Sequence, residues 1–251
     1  MEDFLAMCEI LMYPFMACMV IAALHCYMGL HVIRRGVIFV DLSLAQVAAL
    51  GGAVAVLIGP ELPNWFPSFF EDPAAAHGHV HAADIVDEHE HGGGALGYAL
   101  SLVFAFLGAA LFSVGRFKDN RVPHEVIIGI VYVVSAALAL LVLSKTAHGS
   151  EEMDAMLLGN ILFTDNKLVA ISATLYVGLA IPHLIWGLNK FLKITEDVAK
   201  AETERLHVRI WDLSFYAIFG AMVTQSVRIG GVLVVFSYLI IPGVCAAILF
   251  P

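Results

Sequence analysis

Apolar residues come in seven blocks along the chain, separated by short polar or charged interruptions. The blocks cover residues 10–33, 37–59, 94–114, 126–144, 168–187, 210–227 and 229–250. Most are close to the roughly 20 residues that a helix needs to cross a bilayer. None alternates apolar with polar at every second position, so a porin-like barrel is excluded. Backbone polar groups in lipid must be satisfied within the segment, which makes each block a helix. The pattern predicts an all-α integral membrane protein, a polytopic helical bundle of about seven spans forming one transmembrane domain over residues 1–251. The sixth block is the weakest. Its uncharged part, 213–227, is short, and only Arg228 separates it from the seventh. A broken or tilted stretch is expected there.

The interruptions are unequal in charge. Arg34 and Arg35, then Arg116, Lys118 and Arg121, then Lys190, Lys193, Lys200, Arg205 and Arg209 all fall on one side of an alternating topology. Lys145, Lys167 and Arg228 fall on the other. Lysine and arginine concentrate on the cytoplasmic side of short loops. The N-terminus is thus expected outside the cell membrane, which the chain crosses repeatedly. It opens MEDF, with no basic region before the apolar run, unlike a secretory signal peptide.

Composition agrees with this reading. Of 251 residues 60% are hydrophobic and only 14% charged, whereas a soluble domain is nearer one quarter charged. A net charge of −9 with dispersed basic residues excludes nucleic acid as a partner. Cys8, Cys18, Cys26 and Cys245 lie in or beside apolar segments without a CxxC pair, and read as small buried hydrophobes. No GxxxxGK[ST] phosphate loop and no nucleophile or acid–base constellation is present, so the chain reads as no enzyme. If transport is driven by ATP, another subunit supplies the energy.

Two features carry chemistry. Asp41 sits near the start of the second apolar block, in RRGVIFVDLSLAQVAALG. A charge there is expensive in hydrocarbon and commonly faces a protein-lined path or a transported ion. The alternative is a helix-start charge reaching toward the headgroups. The second feature is the long connection 60–93, whose middle, HGHVHAADIVDEHEH, holds His77, His79, His81, Asp84, Asp87, Glu88, His89, Glu90 and His91. Imidazole with carboxylate suits zinc, and less strongly nickel or copper; manganese prefers carboxylate and water. The loose spacing fits a flexible metal-capture loop more than a closed four-ligand centre. A plain solvated acidic loop is the alternative. Together these features point to metal transport across a membrane.

Smaller readings follow. His25 and His183 are expected to bond backbone carbonyls, and Thr224 and Gln225 to bond between helices. The apolar part of the outside connection, 156–163, is too short to span and predicts a re-entrant or interfacial helix. His148, Glu151, Glu152 and Asp154 make its start acidic, a docking surface or a solvated cap. On the inside, 190–209 is charged and helix-prone. Thr195 is placed to begin a helix there.

The segments RRGVIFVDLSLAQVAALG, HEVIIGIVYVVSAALAL, MDAMLLGNIL and RIGGVLVVFSYLIIPGVCAA, in this order and spacing, resemble the permease subunits of zinc and manganese ABC importers, the ABC-3 metal permease family. The resemblance runs from about Arg34 to the end. It implies a bacterial plasma (inner) membrane homodimer working with two ABC ATPase subunits and an extracytoplasmic metal-binding protein. No cofactor is held permanently; the metal, zinc first and manganese second, is cargo. It also implies that the inside loop contacts the ATPase through Glu196, Asp197, Lys200, Glu204 and Arg205. Many members carry an aspartate and a histidine four apart in the second segment. Aligning on the arginine pair makes Asp41 that aspartate and puts Ala45 at the histidine; aligning on LAQ puts Gln46 there. Asp41, Ser43 and Gln46 are the candidate residues of the metal path. Family members normally continue past IIPGVCAA with at least one more span, so a partial version is implied. The rival readings are a secondary zinc carrier, a manganese or iron importer permease, and a membrane sensor that binds metal without moving it.

Overall fold

A computed structural model describes residues 2–59, 94–115, 123–146, 149–196 and 207–249. The histidine-rich loop, 60–93, and most of the charged inside stretch, 197–206, lie outside them. The described residues form helices joined by short connections, with no strand among them. Helix α1 spans Glu2–Arg35, α2 Val40–Ile58, α3 Gly94–Val114, α4 His124–Leu143, α5 Gly149–Leu158, α6 Asn166–Pro182, α7 Leu188–Glu196 and α8 Val208–Leu249. Six of them are long and apolar enough to cross a membrane.

Local chemistry explains the boundaries. At the end of α1, Val37 N–H donates to Val32 O at 3.2 Å and Gly36 N–H to Ile33 O at 3.0 Å, the paired bonds of a Schellman cap. Helix α2 begins immediately afterwards, and its N-cap residue Phe39 offers no side-chain oxygen. Glu125, from the first turn of α4, instead holds the two residues that lead into the helix. Its carboxylate accepts from Phe39 N–H at 3.1 Å and Ile38 N–H at 3.3 Å. Asp165 caps α6 by accepting from Leu168 N–H at 2.8 Å. Pro182, which cannot donate to the ladder, ends α6, and a π turn over His183–Gly187 leads into α7.

Helix α2 is the centre of the bundle. It packs against α3, α4 and α8, and most of its side chains are buried. Small residues allow this: a Cβ added at Gly51 would lie 2.6 Å from Leu100 O of α3. Helix α4 lies toward the outside and exposes Ile130, Val133, Val134 and Leu141.

The sixth and seventh expected blocks form one helix by hydrogen bonding, α8, broken at Gly231 (φ 70°, ψ 167°). The break reverses the chain. Arg35 of α1 meets Asp212, His31 meets Phe215, and Met28 lines one small cavity with Met222, so the first arm runs antiparallel to α1. Cys26 approaches Tyr238 O at 3.8 Å. Gly29 approaches Leu239 O and Ile33 approaches Gly243, so the second arm runs parallel to α1. Two passes are therefore present where the sequence predicts two. Only the expected interruption at Arg228 is replaced by a kink three residues later.

Candidate functional site

Asp41 occupies the second position of α2 and is 1% exposed. Neither carboxylate oxygen has a hydrogen-bond partner. The burial follows from the position of α2: enclosure by α3, α4 and α8 leaves a residue in its first turn no route to water. A buried carboxyl without a partner is strongly disfavoured unless something neutralises it. Among the described side chains none offers that neutralisation by a hydrogen bond. Gln46 is also buried, 9% exposed. Ser43 is already committed, since its hydroxyl donates to Ile128 O of α4 at 3.1 Å. Among the described residues no three His, Cys, Asp or Glu side chains come close enough together to hold a metal ion. Asp41 thus stands as a single acid rather than as one ligand of a preformed cage.

The other singled-out side chains are placed as follows. His25 Nδ1 lies 2.9 Å from Ile21 O, the expected carbonyl bond. His183 instead sets Nε2 2.9 Å from the Tyr27 hydroxyl. Gln225 donates to Ser172 of α6 at 2.8 Å, an interhelical bond as expected, and Tyr176 bonds Ser226 beside it. Thr224 bonds within its own helix, to Gly220 O. Cys18, Cys26 and Cys245 are free, and Cys245 is exposed rather than buried. The connection between α4 and α6 folds as the short helix α5 followed by a 3-10 turn, Ile161–Phe163. His77, His79, His81, Asp84, Asp87, Glu88, His89, Glu90 and His91 lie outside the described residues, as do His148, Asp197, Lys200, Glu204 and Arg205.

Two constellations were not expected from the sequence. At one end of the bundle, two connections touch backbone to backbone. A Cβ on Gly231 would fall 2.4 Å from Gly159 N, and one on Gly159 would fall 2.2 Å from Gly230 C. Both glycines have positive φ, 70° and 68°, and Asn160 N–H donates to Ile229 O at 3.1 Å. This joins MDAMLLGNIL to RIGGVLVVF. Arg228 lies over the Tyr98 ring of α3 at the same end.

At the opposite end, Arg35 donates Nη1 to Asp212 Oδ1 at 2.8 Å and Nε to Thr195 Oγ1 at 3.0 Å. Its guanidinium lies 4.1 Å from the centre of the Phe215 ring. His31 Nδ1 is 3.2 Å from the same threonine hydroxyl. Thr195 therefore does not begin a helix; it sits one residue before the end of α7, which starts at Leu188. The threonine start signal loses here because the π turn after Pro182 already delivers a helical backbone. The detectable clue was Asp212, a charge at the head of an apolar block, which commonly marks a buried partner. Ser113 at the end of α3 donates to Arg209 O at 2.7 Å. The ends of α1 and α3, the starts of α2, α4 and α8, and α7 thus gather at one end of the bundle. These elements flank the three basic interruptions.

The chain matches the family model described as the ABC 3 transport family over residues 91–250. It is 27% identical over 156 residues to a "Probable iron transport system membrane protein" of Haemophilus influenzae. That match covers 62% of this chain and 54% of the relative, about half its length. Its fold resembles a chain of "PsaBC from Streptococcus pneumoniae in complex with Fab", with a TM-score of 0.66 and 18% identity. That likeness covers 100% of this chain and 77% of the other. The family match takes in the reversal at Gly231, the glycine contact it makes with Gly159, and every element from α3 onward. This multi-pass membrane protein belongs to the ABC 3 transport family.

Proposed function

We infer that the chain is the permease subunit of an ATP-driven importer for a divalent transition metal, zinc in the first place. The observation that carries the reading is Asp41, a fully buried carboxyl with both oxygens unpartnered in the first turn of the enclosed helix α2. Gln46 lies on the same helix about 140° round from Asp41, so the two would offer oxygen at successive points of a path and not to one ion. Five loop histidines favour a borderline metal such as zinc over manganese. The printed name of the Haemophilus relative supports iron as the second reading.

The chain contributes the path, and ATP hydrolysis belongs to a separate ABC ATPase. The gathering of the basic interruptions at one end supports a cytoplasmic placement of that end in a bacterial inner membrane. The ATPase then docks there, against 190–209, and a metal-binding protein delivers cargo at the other face. Two permease copies complete the path. The test is uptake of zinc, manganese and ferrous iron into proteoliposomes holding this chain, with and without ATPase, binding protein and ATP. Zinc uptake that needs all three supports the reading, and preference for ferrous iron moves the specificity to the second reading. Uptake without ATP overturns it in favour of a secondary carrier. Asp41→Ala should abolish uptake in assembled transporter.

A further inference from the structure

Arg35 and Asp212 form an ion pair whose side chains are 2% and 1% exposed. Such a pair contributes little net stability, because desolvation offsets most of the attraction, and apolar replacements are often neutral or better. What the pair supplies is geometry. One guanidinium fork at the last turn of α1 reaches two other elements at once, Asp212 on the first arm of α8 and Thr195 on α7. Lysine, with a single point of charge, cannot reproduce that fork.

Helix α7 has only nine residues, too few to be stable alone. It is fastened at separate places along its length. Lys190 lies over the Trp211 ring at 4.4 Å. Phe191 stacks on His183, centroids 4.4 Å apart, and His183 in turn contacts Tyr27 of α1. Ile194 is fully buried, and Thr195 is bound by both His31 and Arg35. The chain then continues past Glu196 into the charged stretch that the importer reading gives to the ATPase.

We propose that Arg35 is a positioning residue that clamps α7 to α1 and to the first arm of α8, so that a displacement of the inside loop moves both helices as one body. This rests on the importer reading. Helix α7 joins α6 only through the π turn at His183–Gly187, so its placement against α1 and α8 is set by side-chain contacts. The two directed bonds from one guanidinium fix the register of α7 against both neighbours.

The test compares Thr195→Val, which keeps shape and removes the hydroxyl, with Thr195→Ser, which keeps the hydroxyl, and with Arg35→Lys. In the full transporter the quantity read is metal taken up per ATP hydrolysed. Thr195→Val and Arg35→Lys should still assemble with the ATPase and hydrolyse ATP, with uptake per ATP at least five-fold lower. Thr195→Ser should match wild type. Unchanged uptake per ATP in Thr195→Val overturns the clamp. So does a parallel fall in assembly and hydrolysis, which would mark a docking or folding role. Hydrogen exchange of α7 amides in the permease alone gives a second, independent reading. Exchange should rise at least ten-fold in Thr195→Val and stay unchanged in Thr195→Ser; equal exchange in all three variants and wild type overturns the clamp. Wild type without ATP-dependent uptake would refute the importer reading, and the exchange comparison would still decide the clamp.

Discussion

Replacing Gly231 by alanine tests the reversal of α8 most directly. The added Cβ would sit 2.4 Å from Gly159 N and from Leu158 C, and 2.6 Å from Leu157 O. All three are backbone atoms, so no rotamer change relieves the contact. Restoring an ordinary separation near 3.5 Å requires the two loops to part by about 1 Å. The conformation itself, φ 70° and ψ 167°, is nearly exclusive to glycine and costs any other residue about 1–3 kcal/mol. Overpacking of this kind adds about 1–3 kcal/mol. The expected destabilisation is therefore about 2–6 kcal/mol, more than tenfold in the unfolding equilibrium. It can be measured by tryptophan fluorescence of the purified chain in mixed micelles titrated with denaturing detergent. Gly178→Ala is the matched control, because a Cβ there meets nothing within 4 Å. It should be neutral or stabilising by up to about 1 kcal/mol. Gly159→Ala should also destabilise, and the double variant should cost less than the sum, since one separation relieves both contacts. A Gly231→Ala midpoint equal to wild type would refute the backbone-to-backbone contact.

Three further outcomes are expected. Glu125→Ala removes the carboxylate that accepts from Phe39 and Ile38 N–H, and should lower stability in the same titration by about 0.5–2 kcal/mol, with Glu125→Gln intermediate; equal midpoints would mean that water serves these two N–H groups as well. Asp41→Leu removes a buried polar group that has no partner and should raise stability by about 1–3 kcal/mol while abolishing uptake, so a loss of stability would mean that Asp41 has a structural partner. Deleting residues 77–91 should raise the metal concentration for half-maximal uptake and leave the maximal rate near wild type, and an unchanged concentration dependence would assign the loop no role in capture.

The membrane-spanning helices were legible because bilayer thickness fixes the length of an apolar run, and no tertiary contact is needed to read it. The reversal was legible in part: the apolar blocks 210–227 and 229–250 are together far too long for one crossing, but the turn falls at Gly231 and not at Arg228. Burial of Asp41 followed from its position in such a run. Its lack of partners did not, because that depends on which faces of α3, α4 and α8 enclose α2. Arg35 was misleading. Counting it among the basic residues of an inside loop treats it as solvated, whereas it is buried against a residue 177 positions away. The bonds of Glu125 to the backbone leading into α2 had no sequence signal, because they depend on how α4 packs beside it. The glycine pair at 159 and 231 carried a readable signal, glycines at the edges of two resembling segments, but nothing in either segment says that they touch each other.

The enclosure of α2 has a consequence for how the protein is made. Its sequence is apolar enough to enter the bilayer alone, and it is synthesised before α3, α4 and α8, the helices that later surround it. Until they arrive, the α2 surface that includes Asp41 borders lipid. Nascent chains paused after α2 should therefore hold the helix displaced, with this first-turn carboxyl kept at the headgroups and out of the hydrocarbon. Only as the later helices insert can it sink to its final depth. Biogenesis, and not only transport, then depends on the timing with which the carboxyl at position 41 is covered.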